Sequence, residues 1–287
     1  MIRAVDDSSA WRVVRSGRHA LAEGPAWDPL TGTLLWVDIP GRRVIRSRLE
    51  GDALDESRVF DESVGFVLPA ASGGAVVGVG RRLCALAADL APRGLVVEVA
   101  AADPIRINDA SVDPQGRLVF GTMDPLKRNP GRAEVRRLEA DGSTSTLATG
   151  FTISNGIGWS PDGKRIYLTD STPHAILVGD YDGSRLILSR FATDADGQPD
   201  GLAVDALGCV WSASYGGGVV KRYDPEGELM EVHPVPGARP AGLAFAGVDR
   251  RTLVVTLAYG DTEATRPVVI ARETAVAGVP VPEIASL

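Results

Sequence analysis

A five-residue pattern recurs six times along this chain of 287 residues, and it constrains the fold more than any other feature of the sequence. The copies are Glu23–Trp27, Val64–Leu68, Asn108–Val112, Asn155–Trp159, Asp200–Val204 and Ala241–Phe245. Their starting positions are 41, 44, 47, 45 and 41 residues apart. A repeat of about 40–50 residues is typical of β-propellers, in which each repeat forms one blade.

Each copy of the pattern is followed by a turn and then by a short run typical of a β-strand. The runs are rich in β-branched and aromatic residues and are bounded by Gly, Pro or Asp. They are Leu34–Val37, Ala75–Val79, Leu118–Gly121, Ile166–Thr169, Val210–Ala213 and Leu253–Thr256. In most units a second turn follows, with Asp-Gly or Asp-Pro pairs that suit hairpins, as at Glu139–Gly142, Asp180–Gly183 and Asp224–Gly227. Each unit therefore offers two hairpins, or about four strands.

Six four-stranded units predict an all-β fold, a six-bladed β-propeller with about four antiparallel strands per blade. Residues 1–287 then form a single domain. No segment has a helical period over three turns, which argues against helical repeats and against a doubly wound α/β fold. We expect Trp11–Val14 to supply an outer strand beside Val269–Ala271.

Composition and charge narrow the setting in which the protein works. Its 30 basic and 37 acidic residues give a net charge of −7, which argues against nucleic acid as the main partner. No apolar run approaches the length of a membrane span, and no apolar signal-peptide segment follows Met1. Cys84 and Cys209 are far apart and in no metal-type spacing, as expected of unpaired thiols. We therefore expect a cytoplasmic protein without a membrane partner, whose oligomeric state the sequence does not indicate.

The first position of the repeat is where we expect a functional site. In a propeller the innermost strands line a central channel, so equivalent positions at their starts meet around the axis. The six occupants are Glu23, Val64, Asn108, Asn155, Asp200 and Ala241. Four of them carry side-chain oxygens and two are acids, and crowded carboxylates are unfavourable unless a divalent cation offsets their charge. Oxygen donors without Cys or His favour a hard cation such as Ca²⁺, Mg²⁺ or Mn²⁺.

A simpler interpretation is that Asn and Asp before glycine only form turns, as isolated pairs do. Four polar residues in register around one ring argue against it. Arg106 lies two residues before Asn108, and positions i and i+2 of an extended segment share a face, so Arg106 is expected to point into the same cavity. A guanidinium there suits recognition of hydroxyl or carbonyl oxygens, or charge balance with the acids. The alternative is an exposed or ion-paired Arg.

The sequence around these positions resembles the senescence-marker-protein (regucalcin), gluconolactonase and luciferin-regenerating family. The resemblance runs from about Leu21 to the C-terminus. The matching motifs are Leu21–Trp27, Trp36–Asp38, Arg106–Asp109, Val112–Arg117, Phe120–Met123, Ile153–Gly156, Trp159–Gly163 and Pro199–Asp205. Each motif is weak alone, but together, in the family's order and spacing, they are specific.

The resemblance implies a six-bladed propeller that hydrolyses sugar lactones with one divalent metal ion at its axis. It places the family's metal ligands on Glu23, Asn155 and Asp200, and its substrate-binding residues on Arg106 and Asn108. We expect Ca²⁺ ahead of Zn²⁺, Mn²⁺, Mg²⁺ and Fe²⁺, since open oxygen sites accept all of these ions.

Three departures from the family pattern concern the wall of the substrate pocket. Regucalcin-like members carry an acidic residue near the substrate, and here only Asp124 can match it. Tyr215 stands where Trp is common, and Ala241–Leu243 replaces a Thr-Ser-Cys-like sequence. These differences are expected to alter the substrate more than the chemistry.

Opening a lactone, which is a cyclic ester, needs an activated water and stabilisation of the developing oxyanion, and a divalent ion can provide both. Asp200 is the candidate general base because a carboxylate within reach of the attacking water can accept its proton. No Gly-x-Ser-x-Gly motif is present, which argues against a serine esterase. Two alternatives remain: a related calcium-dependent hydrolase of organophosphates or aryl esters, and a non-catalytic propeller that binds calcium.

Overall fold

A computed structural model describes residues 3–4, 10–51, 55–99, 104–126, 130–237, 239–260 and 264–285 of the chain. In these ranges the chain forms β-strands and no α-helix. The strands build six separate sheets around one axis. The innermost strand of each sheet packs against that of the next, and the last packs against the first. The predicted six-bladed β-propeller is confirmed.

Two N-terminal strands, β1 (Arg3–Ala4) and β2 (Arg12–Gly17), precede the first blade. Blades 1 to 3 then follow along the chain, each an antiparallel meander from the axis outward. Blade 1 consists of β3 (Ala22–Asp28), β4 (Thr33–Asp38), β5 (Arg43–Ser47) and β6 (Glu56–Val59). Blade 2 consists of β7 (Val64–Ala70), β8 (Gly74–Val79), β9 (Arg82–Leu86) and β10 (Pro92–Glu98). Blade 3 consists of β11 (Arg106–Val112), β12 (Leu118–Met123), β13 (Gly131–Leu138) and β14 (Thr144–Gly150).

Blades 4 to 6 complete the ring in the same way. Blade 4 consists of β15 (Ser154–Trp159), β16 (Arg165–Asp170), β17 (Ala175–Asp180) and β18 (Ser189–Thr193). Blade 5 consists of β19 (Gln198–Val204), β20 (Val210–Tyr215), β21 (Val219–Tyr223) and β22 (Leu229–Pro234). Blade 6 contains β23 (Pro240–Ala246), β24 (Thr252–Leu257) and β25 (Arg266–Glu273) from this part of the chain.

An N-terminal strand completes the last blade and so closes the ring, and a second one extends the blade before it. Strand β2 pairs antiparallel with β25, with Arg12 opposite Ala271, and so becomes the outer strand of blade 6. The expectation for Trp11–Val14 is thus confirmed. Trp11 Nε1 also donates to Pro234 O at 2.7 Å, which ties this segment to blade 5. Strand β1 adds to the outer edge of blade 5, parallel to β22.

Each copy of the repeat lies in an innermost strand, and each predicted strand-like run forms the second strand of its blade. The second strands are almost wholly buried, which explains their continuous apolar sequence. We call the end of the ring where the inner strands begin the upper face, and the end where they finish the lower face. The first repeat position therefore lies at the upper face in all six blades.

A β-bulge interrupts every inner strand just after the first repeat position. The pairing register between inner and second strand shifts at Glu23/Ala26, Val64/Phe66, Ile107/Ala110, Ser154/Ile157, Pro199/Leu202 and Pro240/Leu243. A bulge bends its strand and changes the direction of the local side chains. The side chain of the first repeat residue therefore need not point to the face of the blade that strict alternation along the strand would give it.

Glycine at the second repeat position lets neighbouring inner strands touch backbone to backbone. A Cβ atom at Gly156 would lie 2.6 Å from Asp200 O in the next blade, and one at Gly65 would lie 2.7 Å from Ile107 O. Gly201 is crowded by backbone in the same way. At these three glycines the close approach leaves no room for a side chain.

Replacing Gly65 by Ala should therefore lower the free energy of unfolding by about 1–3 kcal/mol, because backbone atoms cannot move aside for the added methyl group. Gly237→Ala is a matched control, since its nearest neighbour would be Tyr259 Oη at 3.3 Å, the end of a side chain. Its effect should stay within about 0.5 kcal/mol. Urea unfolding of both variants measures the difference, and equal midpoints would contradict this packing argument.

Two expectations from composition can also be compared with the structure. Cys84 and Cys209 are unpaired thiols, as expected. The described ranges hold no apolar helix of membrane-spanning length.

Candidate metal and substrate site

Four polar side chains stand near the starts of four inner strands at the upper face. Glu23 lies in β3, Asn108 in β11, Asn155 in β15 and Asp200 in β19. Glu23 is partly buried and the other three are buried. The remaining first repeat positions hold the buried apolar residues Val64 and Ala241. The polar groups thus belong to blades 1, 3, 4 and 5.

A chain of hydrogen bonds joins Arg106, Asn108 and Asn155 across blades 3 and 4. Arg106 Nη1 donates to Asn108 Oδ1 at 2.8 Å and to Ile107 O at 2.8 Å. Asn108 Nδ2 donates to Asn155 Oδ1 at 2.6 Å and to Ser154 O at 3.1 Å. The structure therefore brings the three predicted residues together in one network.

Ser171 fixes the orientation of the Asn155 amide, and the sequence analysis did not single it out. Its hydroxyl donates to Pro199 O at 2.8 Å and accepts from Asn155 Nδ2 at 2.8 Å. With Nδ2 held by Ser171, Oδ1 must face Asn108. A carbonyl oxygen has two lone pairs, so Oδ1 retains one for a further partner. Ser171 follows a second strand and lies outside the repeat, so no pattern in the sequence points to it.

Two buried carboxylates hold the loops that lead into these inner strands. Asp170 accepts hydrogen bonds from the backbone N–H groups of Thr152 and Ile153 at 3.0–3.1 Å. Asp194 binds Lys221 Nζ at 2.6 Å in the loop before β19. The positions of Asn155 and Asp200 therefore depend on fixed loops rather than on the inner strands alone.

Glu23 and Asp200 form a close pair of carboxyl groups. Each lies close enough to the other to affect its pKa. Burial, and after it the neighbouring Asp109, raises the pKa of Glu23 to about 8. Burial, and after it the charge of Glu23, raises the pKa of Asp200 well above its ordinary value. Two negative charges are thus unfavourable here unless a proton or a cation is shared between them.

A third carboxyl group, Asp109, was also missed by the sequence analysis, and its charge raises the pKa of both Glu23 and Asp200. Burial raises its pKa to about 6, and its Oδ1 accepts from Ala110 N at 2.8 Å. The sequence did hold a signal for it. The second repeat position is glycine in five copies and aspartate in the third. An acid at a position that is otherwise glycine has no explanation in packing alone.

The residues at the axis fit a hard divalent cation. Asp200 Oδ1 is buried without a hydrogen-bond partner, Glu23 adds a second carboxylate, and Asn155 adds an amide oxygen. Oxygen donors of this kind are preferred by Ca²⁺ and Mg²⁺. Within the described ranges no three His, Cys, Asp or Glu side chains group together as metal ligands, so an ion here needs the amide oxygen as well. The fold and the site define a six-bladed propeller with an acidic centre at its axis.

Asp124 is buried at the upper end of β12, where it follows Met123, the cross-strand partner of Arg106. Its Oδ1 accepts from Leu126 N at 2.9 Å, and its Oδ2 lies 3.9 Å from Arg132 Nε. The side chain is thus engaged with the loop of its own blade. Its predicted role in substrate binding stays a prediction.

Comparison with known proteins agrees with the motifs in the sequence. A family model described as "SMP-30/Gluconolactonase/LRE-like region" matches residues 21–259. The pentonolactonase XacC of Haloferax volcanii is 35% identical over 256 residues, which cover 84% of this chain and 82% of that protein. The L-arabinolactonase of Azospirillum brasilense is 37% identical over 239 residues, which cover 81% of this chain and 80% of that protein.

A solved structure of regucalcin, a calcium-binding protein from Agrobacterium tumefaciens strain C58, superposes with a TM-score of 0.87 at 26% identity. The match covers 96% of this chain and 98% of that one. The chain therefore belongs to the SMP-30/gluconolactonase/LRE-like family, and the resemblance seen in its motifs is confirmed. The matched range includes all four polar residues at the axis.

The raised pKa of Glu23 predicts how stability without metal depends on pH. A carboxyl whose pKa rises from 4.5 to about 8 on folding favours the folded state below pH 4.5, and this contribution is lost as pH rises through 8. Chelator-treated protein should therefore lose more thermal stability between pH 5 and 8.5 than Glu23→Gln, which cannot ionise. Melting temperatures across this range measure the effect.

The matched control is Glu226→Gln, an exposed residue that should leave the pH profile unchanged. Saturating Ca²⁺ should give wild type and Glu23→Gln the same dependence of melting temperature on pH, because the bound cation replaces the proton on Glu23. If the melting temperatures of metal-free wild type and Glu23→Gln depend on pH in the same way, the pKa of Glu23 is not raised by folding.

Proposed function

We propose that this protein is a metal-dependent hydrolase that opens a sugar lactone to the corresponding aldonic acid. The observation that carries the proposal is the pairing of Glu23 with Asp200, whose buried Oδ1 has no hydrogen-bond partner, on the same ring position as the Asn155 amide. The names of two relatives, a pentonolactonase and an L-arabinolactonase, support a sugar lactone as the substrate class.

Glu23, Asn155 and Asp200 would hold the ion. When bound, a divalent metal supplies Lewis-acid polarisation of a carbonyl and lowers the pKa of a water molecule. We expect Ca²⁺ first, because all three donors are oxygens and the structural relative from Agrobacterium is described as calcium-binding. Ser171 would keep the Asn155 oxygen directed at the axis.

Arg106 and Asn108 are proposed to orient the hydroxyl groups of the sugar. The guanidinium carries five N–H donors, and one nitrogen fixes it against Asn108 Oδ1. A sugar hydroxyl can both donate and accept, so it matches a guanidinium and an amide side by side. Asp124 is proposed to bind the substrate as well. It directly follows Met123, which pairs with Arg106 across the two strands.

Asp200 is proposed as the general base. Hydrolysis adds the oxygen of water to the lactone carbonyl carbon and breaks the ring C–O bond, so one proton must leave the water and one must reach the ring oxygen. Asp200 would accept the first proton at a carboxylate oxygen not engaged by the ion and return it to the ring oxygen as the bond breaks. The carboxyl group then ends the cycle in its starting state.

Replacing Asp200 by Asn should lower kcat for lactone hydrolysis by at least about 100-fold, because the amide cannot accept the proton. Asp182→Asn, in an exposed turn of blade 4, should leave kcat unchanged. A pH-stat assay measures acid release, and metal content is determined in parallel to separate loss of the base from loss of the ion. Wild-type turnover by Asp200→Asn with bound metal would refute this assignment.

Removal of metal tests the proposed dependence directly. Chelator-treated protein should lose lactonase activity and recover it when Ca²⁺, Mg²⁺, Mn²⁺, Zn²⁺ or Fe²⁺ is added singly, with Ca²⁺ expected to be effective. Each re-metallated sample is assayed with pentono- and hexonolactones, an aryl ester and an organophosphate. Lactone turnover that survives chelation contradicts metal dependence. Turnover of the ester or organophosphate alone favours the related hydrolase, and no turnover of any substrate favours a calcium-binding propeller.

A further inference from the structure

The position two residues before each copy of the repeat lies at the upper face as well. Its six occupants are Leu21, Glu62, Arg106, Ile153, Gln198 and Arg239. Arginine thus occurs twice, in blade 3 and in blade 6. The inner strands follow one another around the ring in chain order, so these two blades lie on opposite sides of the axis. Arg239 is therefore the counterpart of Arg106 across the candidate site.

The two arginines differ in what lies beside them. Arg106 Nη1 donates to the side chain of Asn108, which occupies the first repeat position of blade 3. The same position in blade 6 is Ala241, which has no side-chain acceptor. Ala258 N donates to Arg239 O at 2.9 Å, next to the upper end of β24. The backbone of Arg239 is thus held at the upper face, while its side chain has no acceptor at the equivalent of Asn108.

Tyr215 of blade 5 supports the guanidinium of Arg239. Arg239 Cζ lies over the Tyr215 ring, 5.8 Å from its centroid. Tyr215 ends β20 and pairs with Gln198 across the strands, so it stands at the upper face. A cation over an aromatic ring is attracted by the electrons of the ring. The N–H donors of a guanidinium lie in its plane, so this contact leaves them available for an anion.

The side chain of Arg239 is exposed, and among the described residues none accepts a hydrogen bond from its guanidinium. Glu62, the acid at the equivalent position of blade 2, is already engaged, since it accepts from Arg82 Nη2 at 3.0 Å. Charge-assisted hydrogen bonds from a guanidinium to a carboxylate or phosphate are among the strongest in proteins. Arg239 therefore suits recognition of an anion carried by a ligand.

The other charged groups at the upper face allow an anion to bind. Arg266 begins β25 and places a second guanidinium at the upper end of blade 6. Asp194 and Asp196, in the loop before β19, both bind Lys221 Nζ and so are already paired. At the axis itself, the three carboxyl groups would be opposed by the proposed divalent ion and by Arg106.

We propose that Arg239 binds an acid group on the substrate, at the end of the sugar that lies away from the lactone ester. The inference rests on the proposed lactonase function and names its substrate class, the lactone of a sugar acid that carries a second acid group. Arg106 and Asn108 would hold hydroxyl groups near the ion, and Arg239 would hold the far end from the opposite side of the ring. The departures from the family pattern at Tyr215 and Ala241 fit this assignment, because one supports the guanidinium and the other gives it no acceptor.

A matched pair of lactones tests the proposal by steady-state kinetics of the Ca²⁺-loaded protein. D-Glucaro-1,4-lactone differs from D-glucono-1,4-lactone in one group, a carboxylate in place of a hydroxymethyl group. Wild type should show at least about tenfold higher kcat/KM for the glucarolactone, since a hydrogen bond between charged groups contributes this much or more. A gluconolactone phosphorylated at its hydroxymethyl group shows whether the protein selects a phosphate over a carboxylate.

Arg239→Gln should lower kcat/KM for the acidic lactones at least about tenfold, mainly through KM, and leave the value for the gluconolactone unchanged. Arg239→Lys keeps the charge and should retain part of the preference. Arg190→Gln, which replaces an exposed arginine in the outer strand β18, is the matched control and should change neither value. Calorimetry with D-glucarate measures binding without turnover, and Arg239→Gln should weaken this binding at least about tenfold.

The outcomes separate this inference from the function on which it rests. If none of the lactones is hydrolysed, the proposed function fails. The assignment of Arg239 is overturned, and lactone hydrolysis stands, if the gluconolactone is hydrolysed but neither acidic lactone is preferred. It is also overturned if Arg239→Gln lowers kcat/KM for the neutral and the acidic lactones equally.

Discussion

The backbones of neighbouring inner strands touch at the second repeat position, and the rest of the structure depends on this contact. Glycine makes the approach possible, as at Gly65 and Gly156, where even a methyl group would collide with the next strand. The bulge at the same place bends each inner strand, so the side chain at the first repeat position does not follow the regular alternation of the strand. The glycine in five blades and the bulge in all six therefore bring the inner strands close together and present one side chain per blade at the upper end of the ring.

Tight closure has an electrostatic consequence. It places Glu23, Asp200 and Asp109 near each other in partly or fully buried surroundings, and this burial raises the pKa of all three. A carboxylate cluster of this kind is unfavourable on its own, and it makes the axis a strong attractor for cations. The affinity proposed for a divalent ion at the upper face arises from this concentration of carboxyl groups.

The ring, its blades and most of the axial residues could be predicted because a repeat converts sequence spacing into spatial position. Once six copies are aligned, Asn108 and Asn155 must be neighbours around the axis although 47 residues separate them. The motifs of the family reinforced this conclusion. Asp109 was missed because only the first repeat position was compared among the six copies. The second position is glycine in the other five copies, so the aspartate was visible in the sequence. Ser171 could not be found in this way, since it follows a second strand whose polar ending has no counterpart in the repeat.

The sequence by itself determined the number of blades, the strands in each blade and the set of polar residues at the axis, because these follow from periodicity and side-chain type. Only the tertiary structure decided which oxygen atoms face one another. The orientation of the Asn155 amide depends on Ser171 and Pro199 O, and only the folded chain shows that Asp200 Oδ1 is buried without a hydrogen-bond partner. The tertiary structure also decided that the C-terminal segment crosses the lower face of the ring, since its hydrogen bonds to blades 5 and 2 can form only after the ring has closed.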